Sequence, residues 1–263
     1  MKKHWLGTIA AVALLVGGRA HAADLPVKAP PAAPVAAPIL NWSGFYVGGH
    51  AGIAWSRDVF TFGIPDTGCD VSLCEDFRFT PSSFIGGGQV GFQSQVEKWV
   101  FGIEATWSGT HLRQTDESAL FPGSFRSIKI DDIATVVARF GGTWDRTLIY
   151  AKAGYATARI GVHALEGANP AVPGLTADNT SWRNGWTLGA GIEYMVWQNL
   201  VLGLEFDFYN FAFDTKTPAF FSDGIHTFQI SGSNADVYAV TARLSYLFNW
   251  GKGKAPAVVA AKY

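Results

Sequence analysis

The chain has 263 residues, a formal net charge of −1 and 16% charged residues, against roughly 25% in a typical soluble domain. The near-neutral balance argues against a nucleic-acid-binding protein, which carries a basic patch and a high isoelectric point. Two cysteines are too few for a small disulfide-stapled fold, and 48% hydrophobic residues exclude a wholly disordered chain. The 30 glycines and 14% aromatic residues favour many short β-strands.

Residues 1–22 have the features of a secretory signal peptide. Two lysines at positions 2 and 3 precede a short apolar stretch at 9–18, and the sequence AHA at 20–22 supplies the small residues that signal peptidase requires. The apolar run is well short of the ~20 residues that a membrane-spanning helix needs. We therefore predict export to an oxidising compartment, with the mature chain beginning near Ala23.

Two Pro/Ala-rich or Lys-bearing segments flank one predicted domain. Residues 23–40 hold five of the 12 prolines and almost no charge, which is typical of a semi-extended periplasmic spacer. Residues 249–263 have a similar composition and form the predicted periplasmic tail. The domain between them spans residues 41–248.

Strict alternation of side-chain character recurs in eight segments of this domain. Period-two alternation over about ten residues, separated by turns, is the pattern of a transmembrane β-barrel. In 99–109, for example, Phe101, Ile103 and Trp107 share one face, and Gly102 and Glu104 share the other. The eight segments are 44–55, 83–95, 99–109, 132–144, 147–160, 184–196, 199–211 and 236–248.

Aromatic residues on the apolar face favour a membrane barrel over its alternative, a soluble β-sandwich. They gather near the segment ends, as expected for the two aromatic girdles at membrane–water interfaces. They are Trp55, Trp99, Trp107, Trp144, Trp186, Trp197 and Tyr246.

The connections between segments alternate in length. Short turns lie around 97–98, 145–146 and 198–199, and the other four connections have about 20 residues or more. An even strand count with short turns at one end and long loops at the other is the outer-membrane pattern. The short turns and both chain ends are then periplasmic. A weak repeat, WVFGIE at 99–104 and LVLGLE at 200–205, is consistent with hairpin duplication.

Seven charged residues fall on the inward face. A register slip of one residue would turn them toward lipid, so the register is strongly specified. We predict Glu104–Arg139 and Glu205–Arg243 ion pairs, with Lys152 near Glu193. The seven residues of this predicted charge network are Glu104, Arg139, Lys152, Glu193, Glu205, Asp207 and Arg243.

Two interpretations of these charges remain open. They either neutralise one another in a filled interior or line a polar path for solutes or protons. Eight strands leave room for little beyond side chains, which favours the filled interior.

The sequence offers weak candidates for chemistry. The run at 86–91 matches G-x-G-x-x-G but lies inside an alternating segment rather than at a strand-to-helix turn. Cys69 and Cys74 lie in the first long loop and predict a loop disulfide. Among histidines, His50 faces inward without an obvious nucleophile beside it, so we predict no enzyme, no metal site and no cofactor. Haem or metal capture by a loop histidine is the alternative.

Several stretches resemble the alphaproteobacterial 25/31-kDa outer-membrane protein family. They are NWSGFYVGGHAGIAW, WVFGIEATW, ARFGGTWDRTLIYAKAGYA, GWTLGAGIEYMVWQNL and VYAVTARLSYLFNWGKGKAP. The resemblance implies an abundant eight-stranded barrel, often described as porin-like and as a surface antigen, with some relatives described as haem binders. Where the family typically has Gly-Thr-Gly, this chain has Ala151-Lys152-Ala153. The family also implies a C-terminal assembly signal at Tyr246 and Phe248, here followed by a tail.

The sequence therefore predicts an all-β, eight-stranded, antiparallel up-and-down transmembrane barrel of the cell outer membrane, preceded by a signal peptide. The predicted role is structural, supporting the envelope and displaying surface loops. A narrow porin-like channel and ligand binding by the loops are the alternatives. Expected partners are outer-membrane lipid and lipopolysaccharide, the outer-membrane assembly machinery and peptidoglycan, with no nucleic acid.

Overall fold

The computed structural model describes residues 40–63, 75–119, 121–167, 173–212, 217–220, 227–232 and 235–249. In these ranges no helix is long and apolar enough to cross a membrane. The strands are β1 (Gly44–Ser56), β2 (Asp58–Gly63), β3 (Glu75–Phe79), β4 (Ser82–Val96), β5 (Trp99–Glu117), β6 (Phe125–Trp144), β7 (Thr147–Glu166), β8 (Leu175–Met195), β9 (Leu200–Phe211), β10 (Thr217–Phe220), β11 (Thr227–Gly232) and β12 (Ala235–Asn249).

Eight of these strands close into an antiparallel barrel. Their order is β1-β4-β5-β6-β7-β8-β9-β12, and β12 pairs back on β1 from Gly44 opposite Asn249 to Ser56 opposite Val237. Each of the eight predicted segments overlaps one barrel strand. The predicted eight-stranded up-and-down barrel is therefore confirmed. Closure satisfies the backbone groups of every barrel strand, which hydrocarbon requires.

Short turns lie at one end of the barrel, at the three predicted places. Glu97 and Asp145 have φ of 55° and 50°, the left-handed conformation that a tight hairpin turn requires. The barrel's first and last residues, 44 and 249, lie at this same end. The signal peptide, residues 23–39 of the spacer and the tail beyond residue 249 fall outside the described residues and stay predictions.

The opposite end, which the sequence analysis predicts to be extracellular, differs from the sequence expectation. Strands β5 to β8 continue well past their predicted ends, so their connections shrink to 118–124 and 167–174. The prediction of four loops of about 20 residues is therefore wrong for these two. The other two connections contain a second sheet of four strands, in the order β10-β11-β2-β3.

A reversal of polarity explains these strand extensions. In the membrane-spanning part of the barrel, the outward face is apolar and the inward face is polar. Beyond the ring of outward aromatic residues farthest from the short turns, Leu112, Ile130 and Ile160 point inward and are buried. The outward positions there carry charges, such as Arg113 and Arg159. Register shifts at 109–112 in β5 and 130–132 in β6 accompany the change. Apolar and polar residues still alternate along these strands. The apolar residues now face inward and the polar ones outward, because water replaces lipid outside the barrel.

The outward face of the lower barrel forms two aromatic belts. The upper belt is continuous across four strands, with ring centroids 5.9 Å apart for Trp55–Tyr238, 5.1 Å for Tyr238–Phe208 and 5.3 Å for Phe208–Trp186. In the lower belt, Trp99 stacks on Phe140 at 5.1 Å. Apolar side chains between the belts are exposed on the isolated barrel, as a lipid-facing surface requires.

Candidate functional site: the barrel interior

All seven predicted charges lie inside the barrel and are buried. They occupy β5 to β9 and β12, and each is ion-paired to at least one other member. Four carboxylates face three cations, so most of the charge is neutralised locally. We call this set the charged layer: Glu104, Arg139, Lys152, Glu193, Glu205, Asp207 and Arg243.

Arg139 connects two carboxylates across the lumen. Its Nη1 lies 3.3 Å from Glu104 Oε2, and its Nη2 lies 2.6 Å from Glu193 Oε1. Nη1 also donates a hydrogen bond of 2.6 Å to the Tyr46 hydroxyl. The guanidinium lies over the ring of Tyr150, with its carbon 3.9 Å from the ring centroid. The structure thus contains the expected Glu104–Arg139 pair and gives Arg139 a second acid.

Arg243 bridges Glu104 and the third glutamate of the layer, Glu205. One guanidinium nitrogen contacts Glu104 and the other contacts Glu205, which is the expected Glu205–Arg243 pair. The Tyr46 hydroxyl donates to Glu104 Oε2 at 2.8 Å, and the Tyr150 hydroxyl donates to Glu205 Oε2 at 2.5 Å. Charge-assisted hydrogen bonds to both carboxylates offset the cost of burying them.

Lys152 pairs with acids other than the predicted Glu193. Its Nζ lies 2.8 Å from Glu205 Oε1, 3.0 Å from Asp207 Oδ1 and 3.7 Å from Glu104 Oε1. The prediction that Lys152 lies near Glu193 is therefore wrong, since the ion-pair partner of Glu193 in the described structure is Arg139.

The strand register explains this choice. Lys152 lies opposite Gly189 on β8, while Glu193 lies four residues further along, opposite Leu148. A Cβ at Gly189 would overlap the Asp207 carboxylate and come within 2.9 Å of the Lys152 Cε. The absent side chain lets the lysine reach across β8 to β9. Gly189 is a site residue that sequence reasoning missed, and its position opposite a lumenal lysine is the available signal.

The lumenal residues repeat after four strands. Tyr46 lies opposite Gly91, which lies opposite Glu104, and the same ladder recurs on β7, β8 and β9. A Cβ on either glycine would overlap the ring of the tyrosine beside it, so each tyrosine lies across its glycine. The corresponding residues are Tyr46 and Tyr150, Gly91 and Gly191, Glu104 and Glu205, and Arg139 and Arg243. The short sequence repeat is thus part of a two-fold pattern that spans all eight barrel strands.

Apolar residues close the barrel below the charged layer. This lower plug lies at the short-turn end, where Trp42 precedes β1 and is almost fully buried. The Trp42 backbone N–H donates to Gln95 Oε1 at 2.8 Å, and its carbonyl accepts from Gln93 Nε2 at 2.7 Å. The lower plug comprises Trp42, Tyr46, Val100, Leu148, Tyr150, Met195, Val201 and Leu247.

A larger apolar cluster fills the barrel above the charged layer. This upper core joins inward residues of the extended strands to Phe60, Phe77 and Phe79 of the small sheet. The rings of Phe60 and Phe79 meet edge to face at 5.9 Å. The small sheet therefore contributes buried aromatic side chains to the barrel mouth opposite the short turns. Sequence reasoning did not anticipate this second core, because these phenylalanines lie in a predicted loop.

His50 has a serine beside it, contrary to the sequence expectation. Its Nε2 lies 2.8 Å from Ser108 Oγ, and its Nδ1 lies 2.8 Å from Gln89 Oε1. The order Ser–His–Gln resembles the hydrogen-bond order of a nucleophile, a base and an orienting group. Ser108 is only 2% exposed, however, and lies between the charged layer and the upper core. Both ring nitrogens are satisfied within the barrel wall.

The remaining sequence candidates have these positions. Cys69 and Cys74 fall outside the described residues. Residues 86–91 lie within β4, not at a strand-to-helix turn. Tyr246 and Phe248 lie on the outward face near the end of β12, with ring centroids 4.8 Å apart, and their role in assembly stays a prediction. In the described ranges no cluster of three His, Cys, Asp or Glu side chains could hold a metal ion.

Comparison with known proteins agrees with this architecture. Residues 10–248 match the family described as "Outer membrane protein beta-barrel domain". The 31 kDa outer-membrane immunogenic protein of Brucella melitensis is 29% identical over 204 residues, covering 75% of this chain and 83% of the relative. The 25 kDa outer-membrane immunogenic protein of Brucella ovis is 26% identical over 204 residues, covering 75% and 85%.

Two solved bacterial outer-membrane structures match the chain at low sequence identity. Neisserial surface protein A is 14% identical, with a TM-score of 0.41, covering 78% of this chain and 98% of that one. The outer membrane protein OprG from Pseudomonas aeruginosa is 14% identical, with a TM-score of 0.46, covering 78% and 97%. With residues 10–248 matched to the family, the chain belongs to the outer-membrane β-barrel proteins, fits the 25/31-kDa alphaproteobacterial group among them, and resides in the cell outer membrane.

Proposed function

We propose that the protein is a closed structural barrel, which supports the envelope and displays its small sheet and loops to the outside. The observation that supports this most strongly is the filled lumen, with the charged layer enclosed between the lower plug and the upper core. A diffusion channel needs a continuous polar path through its lumen. In this lumen, apolar clusters lie both above and below the charged layer and interrupt such a path. The Pro/Ala-rich spacer and the lysines of the tail would contact peptidoglycan from the periplasmic side.

Planar-bilayer recording tests the closed barrel. We expect no stable unitary conductance from the refolded protein, because neither the lower plug nor the upper core contains a polar path. The Lys152→Ala variant should also show no conductance, since it removes one lumenal cation and leaves the lower plug and the upper core in place. A known porin in the same bilayer is the positive control. Stable unitary conductance from the wild type would contradict the proposal and favour the channel.

In cells, loss of the protein should increase leakage of periplasmic proteins, and the Lys152→Ala variant should restore retention.

The proposal assigns no catalytic step to the Ser108–His50–Gln89 arrangement. A serine nucleophile must expose its Oγ to substrate, and this one is enclosed by the barrel wall and both apolar layers. We expect a fluorophosphonate probe to leave the folded protein unlabelled. The matched control is Ser108→Ala, which should give the same background signal. Labelling of the wild type that disappears in both Ser108→Ala and His50→Gln would indicate a hydrolase instead.

A further inference from the structure

A concave pocket of about 690 Å³ opens on the outward face where β1 passes into β2 beside the end of β3. None of the lumenal groups of the charged layer contributes to it. Its lining combines an aromatic ring, two guanidinium groups and the hydroxyls of a serine and a threonine, which is a composition suited to an anionic ligand. The lining residues that matter are Trp55, Arg57, Asp58, Val59, Arg78 and Thr80.

The pocket lies at the height of the lipid headgroups. Trp55 stacks on Tyr238 at 5.9 Å in the upper aromatic belt, and Ile53 below it is exposed on the lipid-facing surface. Arg57 follows Trp55 by two residues, which is about 6–7 Å along a strand. Aromatic belts mark the boundary between acyl chains and headgroups. The two arginines therefore lie where the outer leaflet changes from hydrocarbon to charged groups.

Both arginines point outward without an acidic partner. Arg78 lies opposite Val59 across the β2–β3 pair, so Arg57 is its diagonal neighbour on the same face. Both side chains are exposed, and among the described residues no carboxylate lies within ion-pair distance of either guanidinium. This holds also for Asp76, the acid on the same face of β3 as Arg78.

The acid in the pocket wall does not neutralise the arginines. Asp58 is buried, and its carboxylate accepts hydrogen bonds from the Ser56 hydroxyl and, at 2.8 Å, from the Asp236 backbone N–H. Burial raises the pKa of the Asp58 carboxyl to about 6. This carboxylate is directed into the protein, which leaves the two guanidinium groups free to bind an anion.

A second group of outward cations, on β6 and β7, lies beside acids. Lys129 lies 2.9 Å from Asp131, and Arg159 lies opposite Asp132 in the strand register. His163 lies 2.5 Å from Asp178. This second group lies on strands that contribute no residue to the pocket lining, so it serves as a matched control for the first.

We propose that the Trp55–Arg57–Arg78 pocket binds the phosphorylated headgroup of an outer-leaflet glycolipid. The two guanidinium groups hold the phosphate through paired N–H donors, a geometry that arginine provides and lysine does not. Trp55 packs against the sugar ring and the first carbons of the acyl chains. A lipid fits this position better than a soluble sugar phosphate, because the pocket is continuous with the lipid-facing aromatic belt.

Native mass spectrometry of the detergent-purified full chain tests this proposal, with bis-phosphorylated lipid A as the probe. The test variant is R57Q/R78Q and the matched control is K129Q/R159Q, which removes two positive charges from the second group. We expect binding to weaken at least tenfold in R57Q/R78Q and less than twofold in the control. Heat-modifiable migration on gels verifies that each variant is folded, and R57K/R78K provides a milder variant.

Three results would overturn the proposal. They are unchanged lipid A binding by folded R57Q/R78Q, equal binding of dephosphorylated lipid A by the wild type, and an equal loss in the control variant. Soluble glucosamine bisphosphate distinguishes the two sources of phosphate. It should bind at least tenfold more weakly than lipid A, and equal binding would contradict a lipid occupant.

Discussion

Replacing Arg139 with methionine is expected to lower the free energy of unfolding by about 3–5 kcal/mol, because it leaves a buried charge without its partner. Arg139 is the ion-pair partner of Glu193 in the described structure, at 2.6 Å, and it also pairs with Glu104 at 3.3 Å. Glu104 keeps Arg243 and Lys152, whereas Glu193 keeps no cation among the described residues. Methionine retains much of the side-chain volume, so the loss reports mainly on charge.

Urea unfolding in lipid vesicles, followed by tryptophan fluorescence, measures this loss. Adding Glu193→Gln to Arg139→Met removes the stranded carboxylate and should recover at least about 1 kcal/mol, within the usual range of coupling between contacting residues. The control Arg113→Met removes an outward, water-exposed arginine and should change stability by no more than about 0.5 kcal/mol. If Arg139→Met unfolds at the same urea concentration as the wild type, the ion pairs contribute little to stability.

The membrane-spanning part of the fold was predictable because lipid imposes one rule on every strand. Each outward position there must be apolar, so a run such as Leu202, Leu204 and Phe206 fixes both strand and orientation. The rule changes above the upper aromatic belt, where water surrounds the barrel. There the inward residue is the apolar one, as for Leu112 beside Arg113. A prediction that requires apolar residues on the same face along the whole strand therefore ends the strands too early.

The charged layer was predictable in membership but only partly in pairing. Alternation shows which side chains face the lumen, and adjacency of strands suggests the Glu104–Arg139 pair. It does not show how far a long side chain reaches. Lys152 crosses a whole strand to Asp207 because Gly189 leaves that space empty. Such a contact depends on the absence of a side chain on the intervening strand, which alternation alone does not reveal.

The two-fold pattern of the lumen also has unequal halves. Within each half, the tyrosine–glycine–glutamate ladder has the same register. The second half adds Lys152, Glu193 and Asp207, whose counterparts by this register are Gly48, Gln93 and Thr106. One cation and two acids have thus been added to one half of a repeated frame. This placement is consistent with filling the lumen, because Lys152 pairs with Asp207 and Glu193 pairs with Arg139.

The upper core should be as important to stability as the charged layer. Phe211 ends β9, is 0% exposed and stacks beside Tyr209 at 6.2 Å inside the barrel. Its replacement by alanine removes the apolar side chain and leaves a cavity that the rigid barrel wall cannot fill. We expect Phe211→Ala to lower the free energy of unfolding by about 3–5 kcal/mol.

The matched control lies five residues earlier on the same strand. Phe206 is 43% exposed and faces lipid, so acyl chains can occupy the space that Phe206→Ala vacates. That variant loses the transfer of its side chain from water, about 1.5–3 kcal/mol, without a lasting cavity. Urea unfolding in vesicles should therefore place Phe211→Ala below Phe206→Ala by about 1–2 kcal/mol, the contribution of the cavity. The reverse order would mean that the extracellular half of the lumen is loosely packed, and it would reopen the possibility of a channel.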